Sequence, residues 1–227
     1  MEPKSWEAVV FFLNVVRSID CECHCPHYIQ TSYSFFTYAG EDDLRTFIAI
    51  DIDKEDIVRK LIELERLIQN TGAQIKLVEP ENLHITLKFL GEIDPKDLQI
   101  IKRVVELHAK EFEPFEITIK GLGAFPSPGS PRVIWVGIDK NRDKVTDLAS
   151  RISTDLERMG FRREERAFHP HITIARVKRY NAALKRILRE NSDIEIGDFY
   201  VSKIRVKKST LTPQGPIYTT ILEVTLQ

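Results

Sequence analysis

His84-Ile85-Thr86-Leu87 decides how this chain is read, because it returns as His171-Ile172-Thr173-Ile174. Successive side chains of a β-strand point to opposite faces, so each His and the Thr two residues on share a face, about 7 Å apart. The apolar residues between and after them face a core. Each copy therefore predicts a strand with one wet, functional face. Two such strands brought together offer two imidazoles, able to give or take a proton near neutral pH, and two hydroxyls. That is equipment for acid and base work around an anion. With six histidines in the chain, chance supplies only about 0.4 His-x-Thr matches, so two matching copies argue against mere packing.

The flanking sequence repeats as well. Arg45–Ile52 predicts a strand ending in a turn at Asp53, which is placed to cap a helix with Ile57, Leu61, Leu64, Leu67 and Ile68 on one face. Gly72 closes it, a strand follows at Ile75–Val78, and the His84 strand runs to Gly91. Asp94-Pro95 opens a second helix through Glu111, Phe115–Ile119 is a strand, and Gly121 to Pro131 is a glycine- and proline-rich connection. Arg132–Asp139 then predicts a strand, Asn141–Met159 a helix closed at Gly160, and His171 opens the next strand. Arg45 to His84 and Arg132 to His171 are both 39 residues, an internal duplication with a period of 87. That period is too long for a solenoid and implies two similar α/β lobes. Ala182–Glu190 is a short helix. Glu195–Lys207 and Ile217–Leu226 are strands around Pro213-Gln214-Gly215-Pro216 that mirror nothing cleanly and are expected to cross over to complete a sheet.

Residues 1–43 differ from the rest. They hold 2 basic and 7 acidic residues against 31 and 27 in residues 44–227, and all three cysteines, Cys21, Cys23 and Cys25. With His24 and His27 they could ligate zinc, but no distant second pair returns. The segment reads as an extension, poorly ordered or extraneous. Gly40-Glu41-Asp42-Asp43 can be encoded by a ribosome-binding sequence and Leu44 by TTG, so translation is expected to begin at residue 44, with 44–227 as the domain. The domain is mildly basic, cysteine-free and dense in Lys, Arg and Glu, which suits an anionic substrate and leans towards a cytoplasmic protein from a hot environment. No apolar run approaches a membrane span.

Other residues carry competing readings. His169 and His171 are two apart and could share a metal, but the strand supplies no acidic partner. Strict alternation puts Arg176 on the face opposite His171, so it reaches a shared ligand only if the strand twists or bulges; Phe89 takes its place in the first copy. The same count puts Lys88 on the His84 face. Lys203, Arg205, Lys207 and Lys208 could guide RNA, although such a run is more often a solvated edge.

The paired His-x-Thr-x motifs, the opening Arg45-Thr46-Phe47-Ile48-Ala49-Ile50, the stretch Leu83–Gly91 and the stretch Pro170–Arg176 together resemble the two-histidine (2H) phosphoesterases, in particular the RNA 2′,3′-cyclic phosphodiesterase ("2′-5′ RNA ligase") branch. The resemblance covers residues 45–227. It implies an α+β, bilobal fold with two mainly antiparallel sheets facing across a cleft and helices outside. It implies opening of a 2′,3′-cyclic phosphate to a 2′-phosphomonoester with no metal and no cofactor. By analogy His84 is the proton donor, His171 the acceptor, Thr86 and Thr173 phosphate ligands, Arg176 a phosphate contact, and Phe47 a stacking surface for the terminal base. Expected partners are RNA with cyclic phosphate ends or small cyclic nucleotides, with no protein partner and a monomeric state. RNA joining through 2′-5′ linkages is a variant of the same chemistry, and a non-catalytic RNA-end binder is the alternative.

Overall fold

A computed structural model describes residues 44–213 and 215–227; the expectations placed on residues 1–43, zinc ligands included, lie outside the described residues. Among the described residues nine strands, β1 (Leu44–Asp51), β2 (Gln74–Leu77), β3 (His84–Ile93), β4 (Phe115–Phe125), β5 (Val133–Ile138), β6 (His171–Arg179), β7 (Glu195–Val201), β8 (Lys203–Leu211) and β9 (Pro216–Thr225), alternate with four α-helices. These are α1 (Glu55–Gln69), α2 (Leu98–Ala109), α3 (Arg142–Arg158) and α4 (Ala182–Glu190). No helix among them is long and apolar enough to cross a membrane.

The strands form one antiparallel sheet in the order β7-β4-β5-β6-β3-β1-β8-β9, with β2 added to the edge of β6. It consists of two four-stranded halves, β3-β1-β8-β9 and β6-β5-β4-β7. A single residue pair, Ile85 with Ile172, joins β3 to β6. The two expected sheets are therefore continuous, hinged where the two motifs meet.

The halves are interlocked. Helix α1 follows a strand of the first half and packs on β7 and β6 of the second, while α3 follows β5 and packs on β3 of the first. Buried Ile57, Leu61, Leu64 and Ile68 of α1 and Val145, Leu148, Ile152 and Leu156 of α3 keep the helical period. All join one continuous core. The final hairpin does cross over: Ser202 alone separates β7, at the edge of the second half, from β8 in the first. The single strand expected over Glu195–Lys207 is thus two strands in different halves.

Three further expectations are corrected. Helix α1 starts after Lys54 without a side-chain cap; Asp53 instead accepts from Arg205 at 3.2 Å. The glycine-rich stretch after Phe115 continues as strand β4 to Phe125, because a side chain at Gly123 would overlap the Trp135 ring lying across it. The 39-residue spacing is also one residue out of structural register. Asp51 stands across from His84 but Gly137 across from His171, so Phe47 corresponds to Val133, not Ile134. A shift of one residue exchanges the faces of a strand, so this decides which neighbours each histidine has.

Candidate active site

Ile85 and Ile172 are fully buried, and their side chains point into the core. His84, Thr86, His171 and Thr173, each half-buried, project to the opposite face. Counting outward from the Ile85–Ile172 pair along antiparallel strands sets His84 across from Thr173, and Thr86 across from His171. The strands part beyond that pair, which opens the cleft. The pseudo-two-fold thus brings the four motif residues to one place.

Both imidazoles are held alike. His84 Nδ1–H donates to the Asn82 carbonyl at 2.6 Å, and His171 Nδ1–H donates to the His169 carbonyl at 2.6 Å. A carbonyl can only accept, so the proton of each neutral ring sits on Nδ1 and Nε2 is left as the basic atom. His84 Nε2 accepts from the Thr86 hydroxyl at 3.0 Å. Aromatic rings wall both sides. Phe47 and Tyr218 lie 5.0 and 5.4 Å from the His84 ring, the tyrosine edge-on. Phe125 and Trp135 lie 5.1 and 6.1 Å from that of His171. Tyr218 belongs to β9, three strands from β3, so the first half-sheet curls until its outer edge meets the motif.

Burial among these rings pushes both histidines below their ordinary pKa. For His171 only the His169 carbonyl opposes it. For His84 the Asn82 carbonyl and the Asp51 carboxylate oppose, while Lys207 and His171 add to the depression. Asp51 is largely neutralised, receiving Lys207 Nζ at 2.6 Å and Arg205 at 3.1 Å. Gly137 occupies its place beside His171, so of the two histidines only His84 has a carboxylate across from it.

Arg176 reaches the site face through a bulge. Across β5, Ala175 pairs with Ile134 and Thr173 with Trp135, so Ile174 is an extra residue. Ile174 and Ala175 are both buried, after which alternation resumes with Arg176 outward. Leu87 is the extra residue at the same motif position in β3. It turns Lys88 into the core, where Nζ meets Ser153 at 2.7 Å and Glu157 at 3.2 Å, and brings Phe89 to the site face. The expectation that Lys88 shares the His84 face is therefore wrong. Burial raises the Tyr218 hydroxyl pKa, and the charges of Arg176 and Arg45 oppose that rise, which puts both guanidinium groups near it.

Phe47 is 4% exposed, enclosed by His84, Phe89 and Tyr218. That leaves little of the ring open to a base; it acts as a wall for His84. His169 stacks beside His171, and its Nδ1 accepts from Arg142 at 2.8 Å. Tyr218, Asp51, Trp135 and the carbonyls of Asn82 and His169 escaped the sequence reading. Only Tyr218 left a signal, as the single aromatic residue of its strand.

A family model described as LigT like Phosphoesterase matches residues 50–135 and again 136–218, one match for each half of the duplication. An RNA 2′,3′-cyclic phosphodiesterase from Aeropyrum pernix is 44% identical over 171 residues, 74% of this chain and 96% of the relative. One from Archaeoglobus fulgidus is 44% identical over 177 residues, 77% of this chain and 96% of the relative. The crystal structure of TT0787 of Thermus thermophilus superposes with a TM-score of 0.70 at 26% identity, over 81% of this chain and 98% of that one. Escherichia coli LigT complexed with NADP+ superposes with a TM-score of 0.64 at 23% identity, over 82% and 98%, a likeness of fold. With its duplicated motif at the hinge of a duplicated sheet, the chain belongs to the LigT-like phosphoesterases.

Proposed function

We propose that this protein is an RNA 2′,3′-cyclic phosphodiesterase that opens the cyclic phosphate at an RNA 3′ end to a 2′-phosphomonoester. The observation that carries the reading is the pairing of two imidazoles at one strand crossing, each with Nδ1–H tied to a carbonyl, which leaves Nε2 as the basic atom. In-line displacement at phosphorus needs a base on the attacking water and an acid on the departing oxygen, on opposite sides. His171 Nε2 takes the proton of water as the new P–O bond forms. His84, as imidazolium, gives its Nε2 proton to O3′ as the P–O3′ bond breaks. With Nε2 protonated the Thr86 hydroxyl no longer donates to it and is released to donate to the phosphate. Thr86 and Thr173 donate to the non-bridging oxygens as charge builds, with Arg176 contributing a cation. Relatives 44% identical carry the name of this activity, which favours it over a non-catalytic RNA-end binder. Binding an anion would also be served better by Lys or Arg than by two depressed histidines.

The test is incubation with an RNA bearing a 2′,3′-cyclic phosphate in excess EDTA, with the product's phosphate position read by 31P NMR. The expected result is a 2′-monoester at an undiminished rate. A bound but unchanged cyclic phosphate supports the binder, and loss of turnover on chelation contradicts metal-independent chemistry.

A further inference from the structure

The basic run Lys203–Lys208 looks like an RNA track in the sequence, but its cations are mostly committed. Lys203 meets Glu223 at 2.6 Å, Arg205 meets Glu223, Asp51 and Asp53, and Lys207 meets Asp51. Uncommitted cations lie elsewhere. The segment between α3 and β6, Phe161 to Pro170, has no helix or strand and carries Arg162, Arg163 and Arg166, all exposed. None of the three has a hydrogen-bond or ion-pair partner among the described residues. The segment is tied to β3 by Glu164, whose carboxylate accepts from the Phe89 N–H at 3.1 Å.

Phe89 adds an aromatic surface next to that segment. The bulge at Leu87 presents it on the site face, in the position that Arg176 takes in the other half. It is 61% exposed, yet its backbone is fixed by the loop and its ring is backed by Phe47 at 6.2 Å. It is one aromatic ring removed from His84. An ordered, exposed aromatic ring beside unpaired arginines is how proteins hold single-stranded nucleic acid, the ring taking a base face and the cations the backbone.

We propose that the RNA strand 5′ of the reacting nucleotide leaves the cleft over Phe89 and along the Phe161–Pro170 segment. The base of the preceding nucleotide stacks on Phe89, and backbone phosphates meet Arg162, Arg163 and Arg166. The inference rests on the RNA-end reading above and gives it a substrate class, single-stranded oligonucleotide ends in preference to cyclic mononucleotides.

The experiment compares wild type, the triple variant R162Q/R163Q/R166Q, F89L and F89W. The substrates are a 2′,3′-cyclic mononucleotide and a single-stranded RNA of about ten nucleotides ending in the cyclic phosphate, over a range of salt. Binding of the same RNA with a 2′-phosphate end is followed by fluorescence anisotropy. The triple variant should raise KM for the oligonucleotide roughly tenfold and make the log–log salt dependence shallower by about 2. F89L should raise that KM about tenfold, and F89W should restore it. Mononucleotide kinetics should not change. Equal effects on both substrates, or none on either, overturn the path. Wild type turning over neither substrate overturns the functional reading, and the anisotropy series then decides the RNA path by itself.

Discussion

In the proposed mechanism the two motif histidines set the chemistry through which nitrogen each presents. Asn82 and His169 precede them by two residues, and their carbonyls fix Nδ1–H, so the reactive atom is the same on both sides. Aromatic walls then depress both pKa values by burial. In the proposed mechanism one histidine is protonated and the other neutral in free enzyme, so lowering both moves the productive state towards acid. The pH profile of kcat/KM on a cyclic nucleotide should peak below 6.5, the ordinary histidine value. The kcat profile should sit higher, since a bound anion favours the imidazolium. A kcat/KM optimum well above neutrality would show that burial does not control these rings. The histidines and threonines were legible from the sequence because period-two alternation and repetition are strong signals. Tyr218 and Asp51 were not, because the contacts that bring them to His84 depend on the curl of the sheet and on cross-strand register.

At the scale of single elements, the bulge at the fourth motif residue does most to shape the site. Strand alternation alone put Arg176 on the wrong face and Lys88 on the right one, and one extra residue in each strand reverses both. A bulge has no sequence signature in Leu87 or Ile174, which are ordinary strand residues; it shows only as two consecutive buried positions. Gly123 misled for a related reason, since glycine marks a turn and a strand crossed by a large ring equally well. The bulge also creates the Lys88–Glu157 pair. Lys88 is 1% exposed, whereas the Glu157 side chain keeps 27% exposure. Removing the buried partner should cost little and removing the exposed one much. By urea denaturation, Lys88→Met should stay within about 1 kcal/mol of wild type, and Glu157→Gln should lose about 3 kcal/mol. The reverse order would mean the lysine is not desolvated.

Over the whole molecule, duplication was legible and interlocking was not. Repeated motifs and matched spacings suggest two lobes side by side, but strand partners are long-range facts that local patterns do not carry. Because α1 packs on the second half and α3 on the first, neither half has a complete core. Thermal unfolding of the chain should therefore be one transition with equal calorimetric and van't Hoff enthalpies; two resolved transitions would contradict the interlock. Glu65 adds a pH dependence to that stability. Burial raises its pKa to about 8, with a neighbouring Glu79 adding to the rise and a hydrogen bond from Val78 opposing it. A folded pKa above the unfolded value of 4.5 means the protonated form contributes stability that is full below that value and lost as pH rises through about 8. Glu65→Gln should accordingly melt close to wild type at pH near 4.5 and about 5 °C or more above it once the pH passes 8. A constant difference across pH would show that Glu65 is ionised in the fold.

In the proposed reaction two imidazoles at the Ile85–Ile172 crossing share the acid and base steps. Single-turnover rates of His84→Ala and His171→Ala on an RNA 2′,3′-cyclic phosphate at saturating enzyme isolate those steps, because binding is removed from the comparison. Each variant should lose about 10²–10⁴-fold in rate while still folding cooperatively. Near wild-type turnover by either one would contradict the two-histidine mechanism.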